Sequence, residues 1–183
     1  MAYTGEFAVY EDIIEEMALV YQHDKRPWMI GFSGGKDSTL LCCLVMEMLQ
    51  RLPAEKRNKT VYIVSSDTMV ENPIVRDYMH RMSDMINKAG AELNIRADII
   101  YPKVEDTFWS KVIGLGYPTP EAPGFRWCTE RLKIIPSNDF TYDVIKKAEF
   151  SCPSEKVKVV STVGAGDSFS ASFLHKYLKG ETL

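Results

Sequence analysis

Apolar residues recur at helical spacing over residues 10–22, at Ile13, Ile14, Met17, Ala18 and Tyr21. Lys25-Arg26-Pro27 ends that pattern, because proline cannot continue a helix. Trp28-Met29-Ile30-Gly31-Phe32 is a short apolar run closed by glycines, which predicts a buried strand. Residues 38–50 place Leu40, Leu41, Leu44, Val45, Met48 and Leu49 on one helical face, and a charged loop, Ala54 to Lys59, follows. Val61-Tyr62-Ile63-Val64 predicts the second strand. Asn72-Pro73 has the form of an N-cap with proline at the first helical position. The helix behind it is expected to bury Val75, Tyr78, Met82, Met85 and Ile86. Residues 95–101 predict a third strand, and Thr107 to Ile113 a helix carrying Phe108 and Trp109. Residues 114–125 are rich in glycine and proline and predict a loop, after which a short helix starts near Cys128.

Strand and helix alternate after the first helix. Short alternating units of this kind require parallel strands joined by crossover helices, so the predicted class is α/β, an open parallel sheet with flanking helices. Ligands of such sheets sit at the carboxyl ends of the strands. That edge is where the candidate chemistry of the first 140 residues falls.

Composition narrows the picture only a little. The chain has 183 residues, 45% hydrophobic and 26% charged, an ordinary globular balance with a net charge of −3. No apolar run approaches the roughly 18 residues of a membrane span, and the N-terminus lacks a signal-peptide pattern. The expected location is cytoplasmic, without membrane partners. The acidic balance gives no global attraction to nucleic acid. The four cysteines, Cys42, Cys43, Cys128 and Cys152, form no C-x-x-C pair, and the three histidines are far apart in sequence. A zinc site is therefore not expected, and Cys42 and Cys43 read as small core fillers.

Three strings carry candidate chemistry in that part of the chain. Ser33-Gly34-Gly35-Lys36-Asp37-Ser38-Thr39 joins the first strand to its helix. Adjacent glycines let backbone amides approach an oxyanion, and the helix N-terminus behind them adds unpaired donors and partial positive charge. Ser33, Ser38 and Thr39 add hydroxyls and Lys36 a full charge; Asp37 suits a helix cap or a partner of a magnesium ion. Neither the P-loop nor the dinucleotide glycine pattern fits. After the second strand, Asp67 in Ser65-Ser66-Asp67-Thr68-Met69-Val70-Glu71-Asn72-Pro73 can hold magnesium or a ribose hydroxyl, or can serve the turn. The third string, Phe125-Arg126-Trp127-Cys128-Thr129-Glu130-Arg131-Leu132-Lys133-Ile134-Ile135-Pro136, concentrates positive charge beside a thiol. Arg126 and Lys133 suit a phosphate group, and Cys128 suits metal–sulfur ligation or sulfur handling. A surface basic helix with a buried cysteine is the plainer alternative.

The Ser-Gly-Gly-Lys-Asp-Ser string resembles the pyrophosphate loop of the ATP pyrophosphatase (PP-loop) superfamily, which has an adenine nucleotide alpha hydrolase-like fold. The Ser65–Pro73 and Arg126–Pro136 strings, with Asp106-Thr107-Phe108-Trp109 and Gly116-Tyr117-Pro118, are similar to phosphoadenylylsulfate reductases and to DndC-type sulfurtransferases of DNA phosphorothioation. The resemblance spans residues 10–140. It implies cleavage of ATP between its α- and β-phosphates, activating an acceptor for sulfur transfer. Ser33, Gly34, Gly35, Asp37, Ser38 and Thr39 would hold pyrophosphate, Lys36 would steady the transition state, and Lys36, Asp37 and Asp67 form the catalytic set. Asp67 would meet Mg2+ or nucleotide, and Arg126 and Lys133 a phosphate. It further implies a cysteine desulfurase and other DNA-modification proteins as partners, with DNA reached only through a complex. The family's iron–sulfur cluster would take Cys128 as its first ligand; Cys152 is the only cysteine downstream, and one or two thiolates do not fill a four-ligand shell.

The tail reads strand, glycine turn, helix over residues 157–183. Its Gly164-Ala165-Gly166-Asp167 string resembles the second signature of ribokinase/pfkB sugar kinases. The resemblance implies an anion hole at Gly164, Ala165 and Gly166 with Asp167 as base; Ser161 stands where the signature usually has aspartate. The expected organisation is a truncated PP-loop domain over 1–140, a junction over 141–156 and a pfkB-like fragment over 157–183. Three functions remain open: an ATP pyrophosphatase, a nucleotide-binding module without turnover, and a fragment of a carbohydrate kinase.

Overall fold

The computed structural model describes residues 8–120 and 126–147. The chain divides into two units, Met1–Phe150 and Ser151–Leu183, and every described residue lies in the first. The pfkB-like tail, Gly164 to Asp167 included, lies outside the described residues.

The alternation of strand and helix is present as read. Strands β1 (Trp28–Gly31), β2 (Val61–Ser66) and β3 (Ile95–Ile100) form a three-stranded sheet in the order β1-β2-β3, with both pairs parallel. Ile30 stands opposite Ile63, and Ile63 opposite Ala97. Side chains alternate across a strand, so Ile30, Val61, Ile63, Ile95 and Ala97 share one face. Against them pack Ile14 and Tyr21 of α1 (Glu11–His23), Val45, Met48 and Leu49 of α2 (Lys36–Arg51), and Ile86 of α3 (Pro73–Gly90). On the opposite face, Phe140 meets Tyr62 edge-on at 5.8 Å, and the Thr141 hydroxyl donates to Met29 Sδ at 3.2 Å. The helix carrying both residues, α5 (Ile135–Lys147), therefore covers that side.

Several expectations need correction. Helix α3 begins as read, with Asn72 Oδ1 accepting from the Ile74 amide at 2.9 Å. Its inward face, however, is Met79, Ser83, Ile86 and Gly90, while Val75, Tyr78 and Met85 are exposed. Apolar residues sit around most of this helix, so spacing alone did not fix which stripe turns inward. Likewise Leu40, Leu41 and Cys43 face solvent, and Cys42 takes the core position.

The helix near Cys128 is longer than expected. It starts as α4 (Trp127–Thr129), passes through a π-helical turn (Glu130–Ile134) and continues as α5. Pro136 lies just past that turn. Proline removes one helical donor and crowds the carbonyl of the preceding turn. The widened π turn accommodates it, so the helix continues where proline would otherwise end it.

Lys59 ends the charged loop expected from Ala54, yet it is only 4% exposed. Its ammonium donates to the Asp24 carbonyl and to Asp24 Oδ1, both at 3.3 Å. It also lies 4.6 Å from the Tyr21 ring centre and 5.3 Å from that of Trp28. Two aromatic faces and a carboxylate replace its water.

Candidate functional site

The last ladder bond of β1 runs from the Phe32 amide to the Val64 carbonyl at 2.8 Å, and beyond it the chain leaves the sheet. Gly34 takes φ +74°, a left-handed conformation that only glycine adopts without strain. A Cβ added there would lie 2.8 Å from the Tyr78 ring of α3. The α3 helix thus holds the bend from outside, and the bend has room only for glycine.

Within the loop, Ser38 Oγ donates to the Gly35 carbonyl at 3.1 Å and lies 3.2 Å from Ser33 Oγ. The Gly35 amide makes one long bond, 3.4 Å, to Ser33 Oγ. Thr39 is the first residue whose amide enters the helical ladder, donating to Gly35 at 3.0 Å. Among the described residues, no group accepts from the amides of Gly34, Lys36, Asp37 or Ser38. Asp37 does not cap α2: Gly35 holds the N-cap position, and Asp37 is an exposed acid of the first turn. There its charge suits the helix dipole. The exposed Lys36, Arg126 and Lys133 form no ion pair among the described residues.

Asp67 follows β2 directly, and its amide extends the pairing with β3 by donating to the Ile100 carbonyl at 2.9 Å. The side chain is buried. Its Oδ1 accepts from the Met69 amide at 2.8 Å, closing a tight turn in which Met69 takes φ +64°. Its Oδ2 accepts no hydrogen bond among the described residues; His80 Nε2 lies 4.0 Å away. A cleft of about 500 Å³ opens there, lined by Asp67, Met69, Glu71, Arg76, Asp77, His80 and Tyr101.

On the other side of the same turn lies a second cleft of about 290 Å³. Thr68, Val70 and Glu71 line it together with Phe108, Cys128 and Lys133. The second and third strings, some sixty positions apart, thus share one cavity. Trp127 organises this region. It stacks on Phe108 at 5.8 Å, meets Tyr117 edge-on at 5.7 Å and donates from Nε1 to the Pro118 carbonyl at 3.0 Å. Beside it, Asp106 is buried and its Oδ1 receives both Lys111 Nζ at 3.0 Å and Arg131 Nη1 at 3.3 Å. Arg131 is thereby committed to the scaffold, whereas Lys133 faces the cleft.

Three further residues lie at this edge that the sequence does not mark as site residues: Tyr78, expected in the core but set against the glycine bend, and His80 and Tyr101 in the Asp67 cleft. Tyr101 sits one position past β3, where the strand-end rule points. Nothing local marks Tyr78 or His80. Among the described residues no group of three or more His, Cys, Asp and Glu side chains converges as a metal site. Asp67 alone suffices only for a cation that takes its remaining ligands from phosphate and water. Cys128 lines its cleft without a second cysteine, so the described residues do not supply the four thiolates of a cluster.

Comparison with known proteins finds two partial likenesses. Residues 140–183 match the pfkB family of carbohydrate kinases. A stretch of 121 residues is 29% identical to an uncharacterized protein of Methanocaldococcus jannaschii, covering 66% of this chain and 21% of that relative. The chain thus spans about a fifth of the length of the curated relative it matches. Among the described residues, no helix is long and apolar enough to cross a membrane.

Proposed function

We propose that the α/β body binds ATP as a PP-loop protein, with the β- and γ-phosphates in the Ser33–Thr39 bend. The observation that carries this reading is the set of unengaged amides at Gly34, Lys36, Asp37 and Ser38. Unengaged amides at a helix N-terminus can stabilise the charge that grows on a leaving pyrophosphate. An acceptor oxygen attacks the α-phosphorus, the α–β bridging bond breaks, and the electron pair leaves on pyrophosphate. Lys36 adds a full charge to that oxyanion, and the Ser33, Ser38 and Thr39 hydroxyls orient it. Asp67 meets a magnesium ion carried by the phosphates, or the nucleotide itself. Arg126 and Lys133 hold a phosphate group of the nucleotide or of the acceptor. A sulfur nucleophile delivered by a cysteine desulfurase then attacks the adenylylated acceptor and expels AMP with the replaced oxygen, as the likeness to DndC-type proteins suggests. A cysteine desulfurase and other DNA-modification proteins complete that scheme in the cytoplasm, with DNA reached through the complex.

A pyrophosphate-release assay tests this reading. Lys36→Ala and Ser38→Ala are each expected to lower the rate, Lys36→Ala by about a hundredfold. Equal turnover in parent and variants overturns it. ATP affinity without any pyrophosphate release identifies a binding module instead.

A second reading is favoured by the pfkB match over residues 140–183. In it the C-terminal segment is part of a carbohydrate kinase, with Gly164, Ala165 and Gly166 as the anion hole and Asp167 as base. A base of this kind acts only on a sugar hydroxyl held against it. Phosphate transfer from ATP to fructose or ribose that disappears in Asp167→Ala would establish kinase activity in this chain; no transfer would reject that activity.

A further inference from the structure

The Asp67 cleft pairs that carboxylate with His80, a side chain that the phosphate chemistry of the glycine bend does not use. Asp67 is held in place by its burial and by one hydrogen bond, which leaves its second oxygen open to accept from a group in the cleft. Asp67 is 3% exposed, and Oδ1 is satisfied by the Met69 amide. Oδ2 faces the cleft with His80 Nε2 at 4.0 Å, beyond hydrogen-bonding distance. A hydroxyl oxygen placed between them lies about 2.8 Å from both, an ordinary hydrogen-bond length on each side. It donates to Asp67 Oδ2 and pairs with His80 through its remaining capacity. The half-exposed Tyr101 ring and the Met69 side chain add apolar surface, and Arg76 stands at the same cleft.

We infer that this cleft is a subsite for a sugar hydroxyl, with Asp67 Oδ2 and His80 Nε2 as its two partners. Two ligands present that chemistry: the ribose of a nucleotide whose phosphates occupy the glycine bend, or a separate sugar phosphate. The first source rests on the ATP reading above; the second does not.

The test uses the full chain. His80 ring resonances are followed by NMR while ATP, 2′,3′-dideoxy-ATP or ribose 5-phosphate is added, and calorimetry measures each affinity. Asp67→Asn keeps an oxygen for the Met69 amide, and His80→Gln is an exposed change, so both variants are expected to fold. With the nucleotide as source, ATP shifts His80 and dideoxy-ATP does not. Both variants then weaken ATP about tenfold, and His80→Gln, which lies outside the phosphate machinery, leaves dideoxy-ATP affinity unchanged. With a separate sugar as source, ribose 5-phosphate shifts His80 by itself, and both variants weaken its binding by a similar factor. If ATP binds but neither ligand moves His80, the subsite is overturned while the glycine-bend reading stands. If ATP does not bind and ribose 5-phosphate is silent, both fall.

Discussion

Where β1, β2 and β3 begin, several polar groups are tied to partners distant in sequence. The Tyr21 hydroxyl donates to the Lys59 carbonyl at 2.9 Å, and Lys59 Nζ reaches Asp24. Arg57 donates to the Leu52 and Glu92 carbonyls, and Asn94 donates to the Arg57 carbonyl. Where the same strands end, the amides of Gly34, Lys36, Asp37 and Ser38, one oxygen of Asp67 and the side chains of Lys36, Arg126 and Lys133 make no hydrogen bond or ion pair among the described residues. A fold could close both ends in the same way. One end is closed by bonds between segments distant in sequence and the other is left open, and the open end is the one at which parallel sheets bind ligands and where the proposed site lies.

The largest expected effect strikes the sealed end. Lys59→Ala removes a cation held between two rings and a carboxylate, together with its buried stem. It is expected to lower unfolding free energy by about 3 kcal/mol. Urea denaturation measures this, and a loss of only a few tenths would show that the seal is decorative. Lys59→Met keeps the volume and should recover part of the loss.

The open end should respond differently at its two glycines. Gly34→Ala meets both the left-handed backbone and the Tyr78 ring, and is expected to cost about 2 kcal/mol. Gly35→Ala meets only Ser33 Oγ at 3.4 Å, from an extended backbone, and should cost under about 0.5 kcal/mol. Tyr78→Ala in the Gly34→Ala background should return the steric part and leave the backbone part. Equal costs at both glycines would refute the account of the bend.

These two ends also differ in how far they could be read from sequence. The buried strands β1, β2 and β3, the Asn72 cap and the glycine bend carry local signals: short apolar runs, a capping residue before proline, adjacent glycines. The clamp at Lys59 does not, because its partner Asp24 lies 35 positions away and its ring neighbours belong to α1 and β1. For the same reason Tyr78 read as a core residue, although its ring rests on Gly34. Helix α3 has apolar residues on more than one stripe, and only packing on β3 decides which turns inward. The shared cleft of Thr68 and Cys128 is likewise a product of chain folding, invisible to spacing along the chain.

A smaller effect concerns pH. Burial, and secondarily the neighbouring Cys43, push the Cys42 thiol up to about 11 from an ordinary 9.0. The unfolded chain therefore gives up this proton at lower pH than the native one. Stability from Cys42 is complete below pH 9, falls as pH rises, and is lost by about pH 11. Lys59 acts oppositely: burial lowers its pKa against the pull of Asp24, so its contribution rises with pH toward 10.5. Comparing parent with Cys42→Ala isolates the first slope, and the variant should show a weaker decline between pH 9 and 11. An unchanged decline would place the effect elsewhere. The smallest effect is expected at Met69, whose φ of +64° is strained for a side-chain-bearing residue. Met69→Gly should leave stability unchanged or raise it by about 0.5 kcal/mol, as thermal unfolding would show.

The central claim is that the amides of the glycine bend are free to receive a pyrophosphate group. Amide NMR of the full chain during titration with inorganic pyrophosphate addresses it directly. The account predicts that Gly34, Lys36, Asp37 and Ser38 exchange rapidly in the free protein and show the largest shifts on addition. Slow exchange of these four before any ligand is present, or shifts confined to other residues, would contradict it.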